Sequence, residues 1–174
     1  MLNNEKIMLR GLELEDLETL HDWMNDFELL KNLLRIEPGV RYFTEQWYKR
    51  IMQDARQIIF AVQDLATGSF IGCIGCRHID WIARKAELYI YIGDESFRGK
   101  GYAKSATGLF VAYIFDYYNL NKIYLHVRCD HEAAVRLYQK VGFTEEGRFS
   151  QEVYVEGRYI DMVRMRLLRD EWRK

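Results

Sequence analysis

Proline occurs once, at Pro38, and no stretch is rich in glycine and serine or carries a block of like charges. Nothing marks a linker, and no repeat with a period of roughly 20–50 residues is present, so one domain over residues 1–174 is expected. Cysteine occurs three times, at Cys73, Cys76 and Cys129. An odd count without framework spacing fits a reducing compartment, and a cytoplasmic protein is predicted. Cys73 and Cys76 lie in the apolar run FIGCIGCRHI. Strand positions three apart face opposite sides, so two core thiols are expected there in place of a metal or redox pair. Charge of either sign is not in excess, with 25 Lys and Arg against 26 Asp and Glu. No global field recruits nucleic acid or an anionic membrane. The longest charge-free apolar run, LFVAYIF, is far short of a membrane span. The opening MLNNEKIMLR carries charges where a signal peptide needs an apolar core.

What is present is a core. Apolar residues make up 49% and aromatics 14% of the 174 residues, enough for an ordinary globular domain. Lys6–Leu12 reads as a short strand. Over Glu13–Phe27, Leu14, Leu17, Leu20, Trp23 and Phe27 recur at helical spacing, with Glu13, Glu15 and Asp16 in the first turn where acids favour the helix dipole. Pro38-Gly39 predicts a turn, and Thr44 an N-cap for a second helix carrying Trp47, Tyr48, Ile51 and Met52. QIIFAVQD and SFIGCIGCRHI read as strands joined by a hairpin loop at 65–68, and Lys85–Gly93 as a third strand. A helix is expected from Gly101 to about Tyr118, a strand over 122–128, and a helix over 132–141 stopped by Gly142. The tail reads as strands around a turn at Glu156-Gly157. The order β-α-α-β-β-β-α-β-α-β-β predicts an α/β domain, mostly antiparallel, with a βαβ step at its centre.

Between the third strand and the long helix lies FRGKGYAKSA. A helix start leaves amide N–H groups unpaired, and glycine lets a ligand approach the backbone, so this loop suits an anion. Arg98, Lys100 and Lys104 would add charge. A dinucleotide fingerprint needs a third glycine where Lys104 stands, and a P-loop needs Gly-Lys-Ser/Thr, so both fit poorly. Arg98-x-x-Gly101-x-Ala103, within ELYIYIGDESFRGKGYAKSA, resembles the pyrophosphate-binding motif of the GNAT superfamily of N-acetyltransferases. AAVRLYQKVGFTEEGR resembles a second segment of that superfamily at the expected distance, and LRGLELEDLETLHDW and GRYIDMVRMRLLRDEW extend the likeness over the chain. The nearest branches are those of the spermidine N-acetyltransferases and ribosomal-protein alanine acetyltransferases.

The resemblance implies a GNAT fold: a mixed, mostly antiparallel sheet splayed at its centre and flanked by about four helices. It implies acetyl-CoA as co-substrate and no metal. The pantetheine arm would pair with the backbone of Tyr91 and Ile92, and the pyrophosphate would rest on Arg98, Gly99, Lys100, Gly101, Tyr102 and Ala103. His131 stands where the family usually carries an asparagine that orients the cofactor. Acetyl transfer to an amine needs a neutral amine, a stabilised oxyanion and a proton for the departing thiolate. The resemblance assigns Tyr138 as the general acid and Glu87 as the catalytic or water-ordering carboxylate. His126 and His78 are alternatives by chemistry, since imidazole titrates near neutrality. Glu87, Tyr89 and Tyr91 alternate onto one face of their strand, and a rim carboxylate paired with Arg84 or Lys85 is the competing reading of Glu87.

For the acceptor, Asp26, Glu28 and Glu37 are interleaved with Lys31, Arg35 and Arg41, which speaks against a dedicated polyamine site. Aromatics Trp23, Phe27, Tyr42, Phe43 and Trp47 could line a groove. A protein N-terminus, a polyamine or other small amine, and an amino sugar all stay open, as does homo-oligomerisation. The competing functional classes are a non-catalytic CoA-binding regulatory module and a dinucleotide-binding enzyme.

Overall fold

The computed structural model describes residues 2–34 and 39–172. Strands β1 (Leu2–Asn3) and β2 (Ile7–Arg10) lead into three helices, α1 (Asp16–Trp23), α2 (Phe27–Asn32) and α3 (Arg41–Gln53). Strands β3 (Ile58–Asp64), β4 (Phe70–Asp80) and β5 (Lys85–Ile92) follow, then a short 3₁₀ turn at Glu95–Phe97 and helix α4 (Tyr102–Tyr117). The chain closes with β6 (Lys122–Arg128), α5 (Glu132–Val141), β7 (Thr144–Val155), β8 (Arg158–Leu168) and the single turn α6 (Arg169–Trp172). Among the described residues the strands form one eight-stranded sheet in the order β1-β2-β3-β4-β5-β6-β8-β7. Every neighbouring pair is antiparallel except β5 and β6, the ends of the βαβ step that the sequence order predicts.

Two apolar layers hold the sheet. On one face Phe110, Ile114 and Phe115 of α4 pack on Ile74, Leu88 and Ile123. On the other, Leu17, Leu20 and Trp23 of α1 meet Ala61 and Cys73. Strand alternation sends Cys73 into the second layer and Cys76 into the first, as their spacing requires. Both thiols are free, and burial pushes Cys73 up to about 12. Thr107, on the buried face of α4, is satisfied by its bond to the Ala103 carbonyl at 2.7 Å.

The front helices differ from the sequence reading. The segment read as one helix, Glu13–Phe27, is two. Asn25 caps back onto the His21 carbonyl at 2.9 Å, and the Asp26 carboxylate accepts from the N–H groups of Glu28 and Leu29 and starts α2. Leu14 and Phe27, counted on the apolar stripe, are 63% and 61% exposed. Asp16 does more than face the dipole. It is buried and takes a two-pronged ion pair from Arg10 at 2.7 and 2.8 Å. Thr44 is not the N-cap of α3; extended Val40 is, and Thr44 sits in the first turn with its hydroxyl 3.4 Å from the Val40 carbonyl. Arg35, Glu37 and the Pro38 half of the expected turn lie outside the described residues. At the other end, Glu156 and Gly157, both at positive φ, close the β7–β8 hairpin as expected.

Gly93, at the end of β5, presses on this front layer. A Cβ there would lie 2.0 Å from the Trp23 ring. Gly93→Ala is therefore expected to displace Trp23 and destabilise the chain by about 1–3 kcal/mol, measured as a lower denaturant midpoint at unchanged slope.

Candidate active site

Strands β5 and β6 pair at Lys85↔Lys122, Ala86↔Ile123 and Glu87↔Tyr124, and no further. Beyond that point β5 stays with β4 to Ile92, while β6 stays with β8 to Arg128. The facing edges of the two strands diverge, and their backbone groups need partners from elsewhere. The gap opens into a cleft of about 1730 Å³ whose walls include Tyr91 and Ile92 of β5, Val127 of β6 and Tyr138 of α5.

The FRGKGYAKSA loop stands at one end of this cleft. Asp94 caps the 3₁₀ turn through the Ser96 N–H and hydroxyl, at 2.9 and 2.7 Å. Gly99 and Gly101 follow at φ of 72° and 83°, a region costly for any residue with a Cβ. A Cβ at Gly99 would meet nothing within 4 Å, and one at Gly101 would meet only Lys6 Nζ at 3.9 Å, so open space lies over both. The first intrahelical bond of α4 runs from Ser105 N–H to the Gly101 carbonyl at 3.0 Å. The N–H groups of Tyr102, Ala103 and Lys104 precede it and have no intrahelical acceptor.

The side chains of the loop divide into two sets. Lys100 and Lys104 are exposed. Arg98 turns inward: its guanidinium donates to the Ile92 carbonyl at 3.0 Å and the Gly93 carbonyl at 2.6 Å, and meets Asp26 at 3.3 Å. The Tyr102 phenol is likewise committed, donating to Asp64 at 2.9 Å. Lys6 reaches over from the N-terminal loop to the Lys100 carbonyl at 2.6 Å and lies 4.2 Å from the Tyr102 ring centre.

Across the cleft, α5 starts at His131 and stops at Gly142, whose φ of 112° ends the helix. Its Ala133, Ala134, Leu137 and Tyr138 line the cleft. Tyr138 packs edge-on to Phe143 at 5.9 Å, and burial pushes its phenol up to about 12, so it carries its proton at neutral pH. His131 lines the same wall, and burial together with Arg128 lowers its imidazole, favouring the neutral ring.

Glu87 stands at the last paired position before the strands diverge, with its side chain 8% exposed. Arg77 grips it with Nε at 3.1 Å and Nη2 at 3.0 Å, and the Nδ1 atoms of His78 and His126 approach at 3.0 and 3.1 Å. Burial alone would raise this carboxyl. Arg77, His126 and His78 outweigh it and hold the group down at about 2. Arg84 is not its partner; that guanidinium bonds Asn119. Arg77 was not singled out from the sequence. A register shift in the β4–β5 pairing between Arg77 and Asp80, with His78 at φ of 54°, brings consecutive residues to the same carboxylate, and simple alternation would separate them. The expected stripe is present: Glu87, Tyr89 and Tyr91 all reach the cleft, Tyr89 lying flat where Gly75 has no side chain.

Comparison with known proteins agrees with this geometry. The family model described as an acetyltransferase (GNAT) domain matches residues 6–144. A spermidine N(1)-acetyltransferase of Vibrio cholerae is 35% identical over 170 residues, covering 97% of this chain and 96% of its own. One from Escherichia coli K12 is 30% identical over 174 residues, covering 99% and 91%. A crystal structure of the V. cholerae spermidine N-acetyltransferase in complex with CoA and spermine superposes with a TM-score of 0.92 at 32% identity, covering 98% of this chain and 100% of that one. With the splayed β5–β6 edge, the glycine-framed start of α4 and the match over most of its length, the chain belongs to the GNAT acetyltransferase family.

Proposed function

We propose that the chain transfers an acetyl group from acetyl-CoA to a primary amine by direct attack, with both substrates bound at once. One observation carries this reading: a cleft that runs from the unpaired N–H groups of α4, along the open edge of β5, to a phenol that is protonated at neutral pH. The α4 start, from Gly99 to Ala103, suits the pyrophosphate, with Lys100 at its rim. The backbone of Tyr91 and Ile92, on β5 beyond its pairing with β6, suits the pantetheine amides. Arg98 contributes by holding the strand end beneath the phosphates, and Tyr102 by fixing the first turn of α4 to Asp64. His131 lies on the opposite wall as a neutral donor. Tyr138 gives its proton to the departing sulfur, and Glu87 is the fixed anion beside the route by which the amine's proton leaves. Three free cysteines support the cytoplasm as its place of work, and the continuous sheet supports a single domain.

Leu33, Val40, Phe43 and Trp47 also line the cleft, as do Arg50 and Glu152. Apolar walls favour a small amine or a peptide N-terminus carried on an apolar body. The polyamine named in the relatives is the second reading, favoured by identity over nearly the whole chain. Free-thiol release from acetyl-CoA, measured with spermidine, tyramine, an amino sugar and a peptide with a free N-terminus, separates these readings. No release with any of them would leave a CoA-binding module without turnover.

Tyr138→Phe is expected to lower kcat by about 10²–10⁴ while CoA affinity, read by calorimetry, stays within twofold. Wild-type kcat in this variant would remove Tyr138 from the chemistry. Gly101→Val is expected to abolish CoA binding, because a branched Cβ would stand over the α4 N–H groups. It should also lower the melting temperature, since φ of 83° is strained for valine. Unchanged affinity would show that the loop does not hold the pyrophosphate.

A further inference from the structure

Glu87 and His126 are one unit, and their geometry assigns them different tasks. Both oxygens of Glu87 are in use: Oε1 by Arg77 Nη2 and His126 Nδ1, Oε2 by Arg77 Nε and His78 Nδ1. A carboxylate with four donors on it, 8% exposed, has little left to offer an incoming ammonium. His126 is its opposite. Its side chain is 32% exposed and lines the cleft, on the strand that diverges from β5. An ionised carboxylate only accepts, so the bond at 3.1 Å makes Nδ1 the protonated nitrogen of the neutral ring and leaves the Nε2 lone pair unclaimed by Glu87. Tyr124 and Phe149 meet the ring edge-on, at 5.8 and 5.7 Å between centres, and fix its plane. His78 shares the carboxylate but is 70% exposed and is not among the residues lining the cleft.

We infer that His126 Nε2 is the atom that accepts the acceptor amine's proton, and that Glu87 is a positioning residue acting through it. The inference rests on the acetyltransferase reading above. An ammonium gives one proton to Nε2, and the neutral amine nitrogen then bonds to the thioester carbon. As the carbon–sulfur bond breaks, the Tyr138 phenol supplies the sulfur's proton. The proton shed by nitrogen as the amide forms restores the phenol, and His126 releases its own to solvent. One acetyl group moves and one proton is released.

The charged and titratable groups around His126 come from every strand beside it. Glu87 lies on β5, with Arg77 and His78 of β4 behind it. Arg164 of β8 is its register partner, 4.0 Å from the Tyr124 ring centre and paired with Glu146 of β7 at 3.0 Å. Tyr124 and Arg128 share its side of β6, and Arg128 is held by Asp130 at 2.9 Å. Glu87 is thus the anion in direct contact with the ring, while the nearby cations are each paired or stacked elsewhere.

The test is kcat against pH at saturating acetyl-CoA and saturating acceptor, using the best amine of the panel, for wild type, His126→Gln, His126→Asn, Glu87→Gln and His78→Gln. Calorimetric CoA affinity and a thermal melt accompany each variant. In wild type an acidic limb is expected. Both His126 variants should lose that limb and about 10²–10³ in kcat, keep CoA affinity within twofold, and recover rate at high pH where the amine is already neutral. Glu87→Gln should keep a limb but move it to lower pH, because an amide no longer steadies the imidazolium. His78→Gln should keep the limb in place. Wild-type kcat and limb in the His126 variants would overturn the assignment, and so would a limb lost only in Glu87→Gln. Loss of CoA affinity or of a cooperative melt in both His126 variants would show a structural role and overturn it as well. Absence of thiol release by wild type with every amine would instead overturn the acetyltransferase reading before any variant is compared.

Discussion

Two parallel strands that pair over three positions and then diverge govern the rest of this molecule. Parallel neighbours joined by a helix place both carboxyl ends at the same edge of the sheet. The helices that follow β5 and β6 therefore both start at that edge, and both direct unpaired N–H groups and partial positive charge toward it. The divergence turns this coincidence into a site. Closed pairing would bury the edge of β5 under β6; splayed, that edge is a row of backbone donors and acceptors running from Glu87 to the loop. A buried N–H or carbonyl left without a partner costs about 1–3 kcal/mol, so an open edge inside a sheet persists only where water or a ligand reaches it.

Arg98 shows how the opened end is kept in shape. Its guanidinium takes the Ile92 and Gly93 carbonyls, the last acceptors of β5, and the Asp26 carboxylate that caps α2. Burial would raise Asp26, but the Leu29 N–H and Arg98 together hold it below the ordinary carboxylate range, so it stays ionised and continues to grip. The front helices, the end of β5 and the loop that opens α4 are thus joined through one planar cation. A lysine could not satisfy this fork of partners. Gly93 completes the joint by letting the strand end lie directly on Trp23.

Much of this was legible in the sequence where local chemistry and packing agree. Gly101 and Gly142 stand at positive φ at the start of α4 and the end of α5, and Glu156-Gly157 turns the last hairpin, because those conformations favour residues recognisable by type. The front was less legible. Helical spacing from Leu14 to Phe27 is real, but Asp26 competes for the backbone and restarts the helix, and a periodic pattern cannot register that competition. Thr44 had the chemistry of a cap without the position. At the site, resemblance singles out Glu87 and Tyr138 but says nothing of their environments. Arg77 and His78 reach Glu87 together only through a register shift, which leaves no mark in the alternation of residues. Arg98 was read as a cation for phosphate, and its carbonyl partners five and six residues back become visible only once the strand end is in place.

The environment of Glu87 also shows what a strong ion pair does at the site proposed for proton transfer. A carboxyl this buried and alone would tend to take up a proton, and a neutral acid cannot steady a cation beside it. Arg77 prevents that by holding both oxygens, so the group remains an anion far below neutrality. The result is a fixed negative charge at the point where the strands diverge. Such a charge is a poor proton acceptor, for the same reason that it is constant. It is well suited to orient an imidazole and would offset the positive charge of a ring that took a proton. The tyrosine on the opposite wall is held in the complementary state, its proton retained by burial. One side of the cleft is kept charged by pairing and the other kept neutral by burial, and the reacting amine and thioester would meet between the two.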